Sequence, residues 1–171
     1  MILTDLIKAV TYWMLRISGI FLLAISLWAC DDDYLVNQTQ TIPNESWQIE
    51  DTLVFPFEIS DTVKAYDLYI NLRHSVDYSY QNLFVFVSTY FPENTMHRDT
   101  IEFVLASPQG EWLGEGFGRL KYNTIAVRKG LIFPDTGSYR FVFRHAMRAD
   151  TLMGIRDVGV QIKESKQTAD H

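Results

Sequence analysis

The chain has 171 residues, of which 47% are apolar and 14% aromatic; that is room for one domain with an anchor, and it excludes a multidomain enzyme, a disordered tract and a collagen. A single cysteine excludes both an intramolecular disulfide and a cysteine-based zinc site. The formal charge of −6, with bases scattered rather than clustered, makes nucleic acid an unexpected partner.

Before Cys30 the only bases are Lys8 and Arg16, and the run Ile17–Ala29 (ISGIFLLAISLWA) carries no charge. A short apolar run behind basic residues has the shape of a signal peptide. As a helix that run covers about 20 Å, short of the roughly 30 Å hydrocarbon core of a bilayer. A permanent transmembrane helix needs Ala9–Leu15 as well, and Arg16 interrupts that extension. Met1 and Met14 are both candidate starts, since MLRISGIFLLAISLWAC is a compact signal by itself.

The apolar run ends at Leu27-Trp28-Ala29-Cys30, followed by Asp31-Asp32-Asp33. This resembles a bacterial lipobox. The resemblance implies that diacylglycerol alkylates the Cys30 thiol, that residues 1–29 are cleaved, and that the new amino terminus is acylated. Two or three acyl chains hold a protein stably to a membrane, whereas one does so marginally. The three aspartates belong in water beside the headgroups. They read either as a sorting signal or as the start of a solvated linker.

Residues 30–43 are polar and lack a period, as a lipidated tether would. Period-two apolar patterning then predicts strands. Leu53, Phe55, Phe57 and Ile59 alternate, and Pro56 among them points to an edge or a bulge. Tyr66, Leu68, Ile70 and Leu72 alternate next. Residues 82–91, apolar on both faces, read as a central strand; in 99–106, Ile101, Phe103 and Leu105 point inward. Pro108-Gln109-Gly110 is a turn. Three glycines between Trp112 and Gly118 suggest a bulged or irregular strand, and 122–133 supplies one strand or two. After the turn at Pro134–Gly137, Tyr139, Phe141 and Phe143 alternate with Arg140, Val142 and Arg144. The last strand places Val158, Val160 and Ile162 inward.

About eight strands and no amphipathic helix of twelve residues predict an all-β, two-layer antiparallel β-sandwich over residues 44–163, with a polar tail at 164–171. The expected core contains Phe55, Phe57, Leu68, Ile70, Val85, Phe103, Phe141, Phe143, Val158 and Val160. Basic residues Arg140, Arg144 and Arg148 are expected on a solvated sheet face.

The four histidines, His74, His97, His145 and His171, stand at no metal-binding spacing, so no metal or other cofactor is expected. No G-x-S-x-G elbow occurs, and Ser75 and Asp77 beside His74 lack a spacing that dictates a triad. Glu111 and Glu115 offer paired carboxylates, but beside glycine-rich turns these are ordinary solvated charges. GEGFG at 114–118 lacks the lysine of a phosphate-binding loop and the strand-turn-helix setting of a dinucleotide fingerprint. An interaction surface is the better expectation. Its candidates are His74, Tyr78, Tyr80 and Asn82 on one loop, with Trp112 and Glu115 on the glycine-rich segment. Tyr78 and Tyr80 beside amides and Trp112 also fit a glycan-binding surface, or simply the capping of the sandwich end.

The blocks IPNESW (42–47), DLYINLRHSVDYSYQNLFVFV (67–87), DTIEFVLASPQGEWLGEGFGRLKYN (99–123), FPDTGSYRF (133–141) and AMRADTLMGIRDVGVQIK (146–163) resemble, in order, the gliding motility lipoprotein GldH family. The resemblance covers nearly all of the chain after Cys30. It implies a non-enzymatic protein of the cell envelope, lipid-anchored to the membrane through Cys30, most simply the outer membrane. The implied partners are envelope proteins of the gliding or type IX secretion machinery. It carries over no catalytic residue.

Overall fold

A computed structural model describes residues 34–166 together with Trp13. Cys30, the apolar run before it and residues 167–171 fall outside the described residues, and with them the expectations of lipidation and cleavage. Ten strands are present: β1 (Tyr34–Thr41), β2 (Ser46–Gln48), β3 (Leu53–Ile59), β4 (Tyr66–Ser75), β5 (Asn82–Tyr90), β6 (Met96–Val104), β7 (Leu120–Leu131), β8 (Gly137–His145), β9 (Thr151–Met153) and β10 (Ile155–Glu164). A single 3-10 turn, Pro43–Glu45, separates β1 from β2.

Two four-stranded sheets, β1-β10-β4-β7 and β3-β8-β5-β6, carry the fold, and β2 and β9 pair as a small third sheet. All pairings are antiparallel. Apart from the β5–β6 hairpin, the chain changes sheet between successive principal strands. Eight strands ordered this way make a jelly roll. Strands with one face apolar must bury that face, and β3 shows the pattern at its simplest, alternating buried and exposed along its whole length.

All ten expected core residues are buried, none more than 8% exposed. Aromatic rings dominate one end of this core, where Phe57 stacks on Tyr139 at 5.6 Å and Phe133 meets Tyr66 and Tyr139 at 5.7 and 5.1 Å. Pro56 lies on β3, an edge strand. Its carbonyl accepts a bond from outside the sheet, so its missing N–H lies on that same open side and breaks no ladder bond.

Three expectations need correction. Tyr34–Thr41, expected in the tether, is β1, paired along its length with β10. It lacks an apolar period because only Val36 fills the core from it; the next inward residues, Gln38 and Gln40, donate through Nε2 to the Pro56 and Val54 carbonyls at 2.7 and 2.5 Å. Those bonds seal the seam between edge strands β1 and β3. Residues 112–118 form no strand, only the isolated bridges Ala106–Trp112 and Glu115–Tyr122. Glu164, expected in the tail, ends β10, while residues 122–133 give the single strand β7, one of the two expected alternatives.

The register defines two ends. At the first, Tyr34 lies opposite Lys163, and Tyr66 opposite Glu164 and Leu131. At the second, about 30 Å away along β4, Thr41 faces Asp157, His74 faces Ile155 and Ser75 faces Leu120. On the outer face of β8, Arg140 and Arg144 lie over the rings of Tyr90 and Phe86, at 4.2 and 5.7 Å. The basic face is therefore interleaved with aromatics.

Phe143, 1% exposed and packed on Phe55 at 5.2 Å, is a stringent test of this core. Phe143→Ala should cost about 3–5 kcal/mol in a denaturant titration, whereas Val63→Ala, 88% exposed, should stay within about 0.5 kcal/mol of the parent.

Candidate functional site

All six candidate surface residues come together at the second end of the sandwich, although not all of them at its surface. Alternate residues of β4 from Tyr66 onward point inward, so His74 continues the buried row and is 0% exposed. Tyr78, in the turn that follows, is buried too, and its hydroxyl donates to the Asn82 carbonyl at 2.9 Å. Both are core residues rather than contact residues. Trp112 packs its ring 4.6 Å from that of His74, and Tyr78 meets Tyr80 edge-on at 5.7 Å. The aromatic faces are spent on one another. Tyr80 and Glu115 remain exposed, and the half-buried Asn82 donates through Nδ2 to Glu102 at 2.6 Å.

Burial governs the chemistry here. It pushes the His74 imidazole below its ordinary value and the Tyr78 phenol above its own. His74 Nδ1 lies 3.0 Å from the Ser75 carbonyl and so carries the ring proton, which it donates there. The Ser75 hydroxyl donates to Asp77 at 3.1 Å and accepts from the Asp77 N–H at 3.0 Å. Serine and histidine thus have no bond between them of the kind that activates a nucleophile. Among the described residues no group of three acidic, histidine or cysteine side chains is placed to hold a metal.

A hairpin-like loop stands on this end. Glu115 and Tyr122 exchange backbone bonds of 2.8 Å each, and the Leu113 N–H donates to Leu105 at 2.9 Å. Lys121 Nζ donates to the Gly116 carbonyl at 2.8 Å. Gly116 has φ +119°, and a Cβ there would lie 2.9 Å from the Leu120 carbonyl oxygen, so no side chain is tolerated. At the tip, Phe117 is fully exposed at 105%. Sequence reasoning passed it over, although G-F-G was a usable signal: an aromatic between two glycines has no strand register to bury it.

An ion-pair network fixes the loop's base. Arg119 grips Glu45 through both terminal nitrogens, at 2.8 and 2.7 Å, and Arg156 reaches the same carboxylate at 3.3 Å. Arg119 also lies 3.4 Å from Asp77. The Val76 N–H donates to the Arg119 carbonyl at 2.7 Å, joining the β4–β5 turn to the loop. Asn44 and Glu45 both have φ +54°, a left-handed conformation that non-glycine residues hold only when the surroundings enforce it. The Arg119 hydrogen bond holds the Glu45 carboxyl below its ordinary value. Behind the network, Trp47 is 0% exposed and meets the ring of His145, which is buried without a hydrogen-bond partner and lowered by burial.

Stability should therefore fall in two steps on acidification. His74 and His145 titrate lower in the folded chain than in the unfolded one, so stability is full above about pH 6.5 and declines as the pH drops below it. Glu45 contributes above about pH 4.3, and its contribution is lost as the pH falls through its lower folded value. In denaturant titrations from pH 7 to pH 3, His145→Phe should shrink the upper step, and Glu45→Gln should remove its share of the lower step while weakening the fold at neutrality.

The family model of the GldH lipoprotein matches residues 34–162, which run from the first residue of β1 to within two residues of the end of β10. The gliding motility lipoprotein GldH homolog of Christiangramia forsetii is 34% identical over 154 residues, covering 85% of this chain and 94% of the relative. The gliding motility lipoprotein GldH of Flavobacterium johnsoniae is 30% identical over 155 residues, covering 86% and 96%. Among solved structures, a carbohydrate-binding module specific for non-crystalline cellulose aligns with a TM-score of 0.44 and 13% identity over 76% of this chain and 73% of its own. A family GH115 4-O-methyl-α-glucuronidase has the same score and identity, over 80% of this chain and 18% of its own. Those two likenesses are too distant to bear on function. Matched along its folded domain by the family model and by two gliding motility relatives, the chain belongs to the GldH lipoprotein family.

Proposed function

We propose that this protein is a lipid-anchored, non-enzymatic accessory component of the cell envelope, held in the outer membrane through Cys30, and that it serves the gliding machinery or the associated type IX secretion apparatus by contact with other envelope proteins. The observation that carries this reading is the position of the only cysteine, four residues ahead of the span matched by the family model of the GldH lipoprotein. The engagement of Ser75 with Asp77 rather than with His74 supports a role without catalysis. Glycan binding is the weaker reading, because Trp112 is packed against His74 instead of lying open as a platform.

Cys30→Ser separates anchor from domain. Fractionation of the host should move the variant from the membrane pellet, with loss of lipid label and of the acyl mass. A variant that stays in the pellet at unchanged mass and label would show that something other than Cys30 holds the protein. The functional half is read from a chromosomal deletion, which should impair gliding, or secretion in a host that does not glide, and be rescued by the parent chain but not by Cys30→Ser.

A further inference from the structure

We infer that Phe117 is the anchor of a docking knob that inserts into an apolar pocket with a basic rim on a protein partner. The inference rests on the reading of the chain as an envelope accessory component and names the contact through which it acts.

Phe117 is the most exposed of the large apolar side chains, and it takes part in none of the aromatic pairs among the described residues. The loop that carries it is closed at its base. The Glu115–Tyr122 bridge, the Lys121 bond to Gly116 and the two-pronged Arg119–Glu45 contact fix the hairpin below it, which lowers the cost of ordering the loop on binding. Aromatic side chains that fill a partner's pocket are common centres of binding energy at interfaces. Beside it, Leu113, Tyr122 and Val104 are 57%, 43% and 58% exposed and line, with Glu115, a depression of about 340 Å³. Phe117 does not line that depression, but Leu113 and Tyr122 stand on the two arms of its loop, and exposed apolar side chains gathered on one loop mark a contact site rather than scattered surface hydrophobicity.

Charge states the partner's chemistry. Arg119 and Arg156 are balanced by Glu45 and Asp77, whereas Lys121, bonded only to the Gly116 carbonyl, keeps its positive charge. Glu111 and Glu115 have no ion pair among the described residues. Glu111 and Glu115 against Lys121 leave a net negative charge around the knob, which suits a basic rim and disfavours anionic headgroups. The position argues against lipid as well, since the knob stands at the end of the sandwich away from Tyr34, where the chain arrives from Cys30.

The test uses the full lipidated chain in its own host. Photoreactive benzoyl-phenylalanine placed at position 117 should give a discrete protein adduct, with the cross-linked peptide apolar and flanked by lysine or arginine; the same probe at position 63 should not. Against the protein so identified, Phe117→Ala should reduce recovery of the detergent-solubilised complex at least about tenfold, Phe117→Leu should restore part of it, and Glu115→Lys should weaken it. The melting midpoint of Phe117→Ala should match the parent. An adduct with lipid, no protein adduct at 117, undiminished recovery of Phe117→Ala, a melting midpoint lowered by that change, or Phe117-dependent cosedimentation of the unlipidated mature chain with phosphatidylethanolamine–phosphatidylglycerol vesicles would each overturn the inference. If instead deletion of the whole chain leaves gliding and secretion intact while the 117 adduct persists, the accessory role fails and the knob stands.

Discussion

The pairing of β10 with β1 on one side and β4 on the other is the contact on which the rest of the fold depends. β10 is the last strand, yet it sits inside its sheet, so neither β1 nor the completed sandwich exists until the C-terminal segment has docked. Gly159 makes the approach possible: a Cβ there would lie 2.8 Å from Thr39 Oγ1 and 2.9 Å from the Gln38 carbonyl oxygen. A fold closed by contacts between its two ends has high contact order, and such folds assemble slowly. The same ladder has a mechanical meaning in the proposed anchored state. Force on a lipid at Cys30 enters the domain along β1, and the β1–β10 hydrogen bonds, perpendicular to the strands, share it in shear.

The two ends of the sandwich are closed by different physics. At the first, rings from Phe57, Tyr66, Phe133 and Tyr139 pack without charge among them. At the second, the jelly-roll order gathers the 3-10 turn, the β4–β5 turn, the glycine-rich loop and the β9–β10 turn, which share no continuous strand. Carboxylates do the joining: Glu45 binds Arg119 and Arg156, and Asp157, 4% exposed, binds Arg73. A buried carboxylate gains little net energy over an apolar residue but tolerates only one arrangement of its partners. That specificity suits an end built from loops, where apolar packing alone would leave several arrangements of similar energy.

How far the sequence could be read follows from which residues obey a period. The strands β3, β4, β5, β8 and β10 announce themselves because their inward rows are apolar, and Pro56 announces its edge because a missing donor is tolerable only there. β1 does not, because its inward row ends in glutamines whose job is to cap another strand's carbonyls. β2 and β9 are three residues each, too short for any period. The burial of His74 was legible and missed: Tyr66, Leu68, Ile70 and Leu72 fix the parity, and His74 is the next member of that row. His145 follows Tyr139, Phe141 and Phe143 in the same way. Polar residue type outweighed register in reading His74, and register was the stronger physical constraint.

The strand hidden in the tether also changes what the anchor can do. A tether of residues 30–43 would reach up to about 48 Å at full extension, longer than the roughly 30 Å of β4, and would let any face of the sandwich meet the membrane. With β1 beginning at Tyr34, only Asp31–Asp33 separate it from Cys30, a reach of about 14 Å. Three aspartates resist entering the headgroup layer, so even that short link favours standing off from the bilayer over lying on it. In the proposed anchored state the link to Cys30 joins the domain at its aromatic first end, where Tyr34 begins β1, and the second end is the one farther from that link. The exposed Phe117 and the ion pairs that brace its loop stand at that second end, which in the proposed anchored state is the end free to meet a partner fixed to another surface.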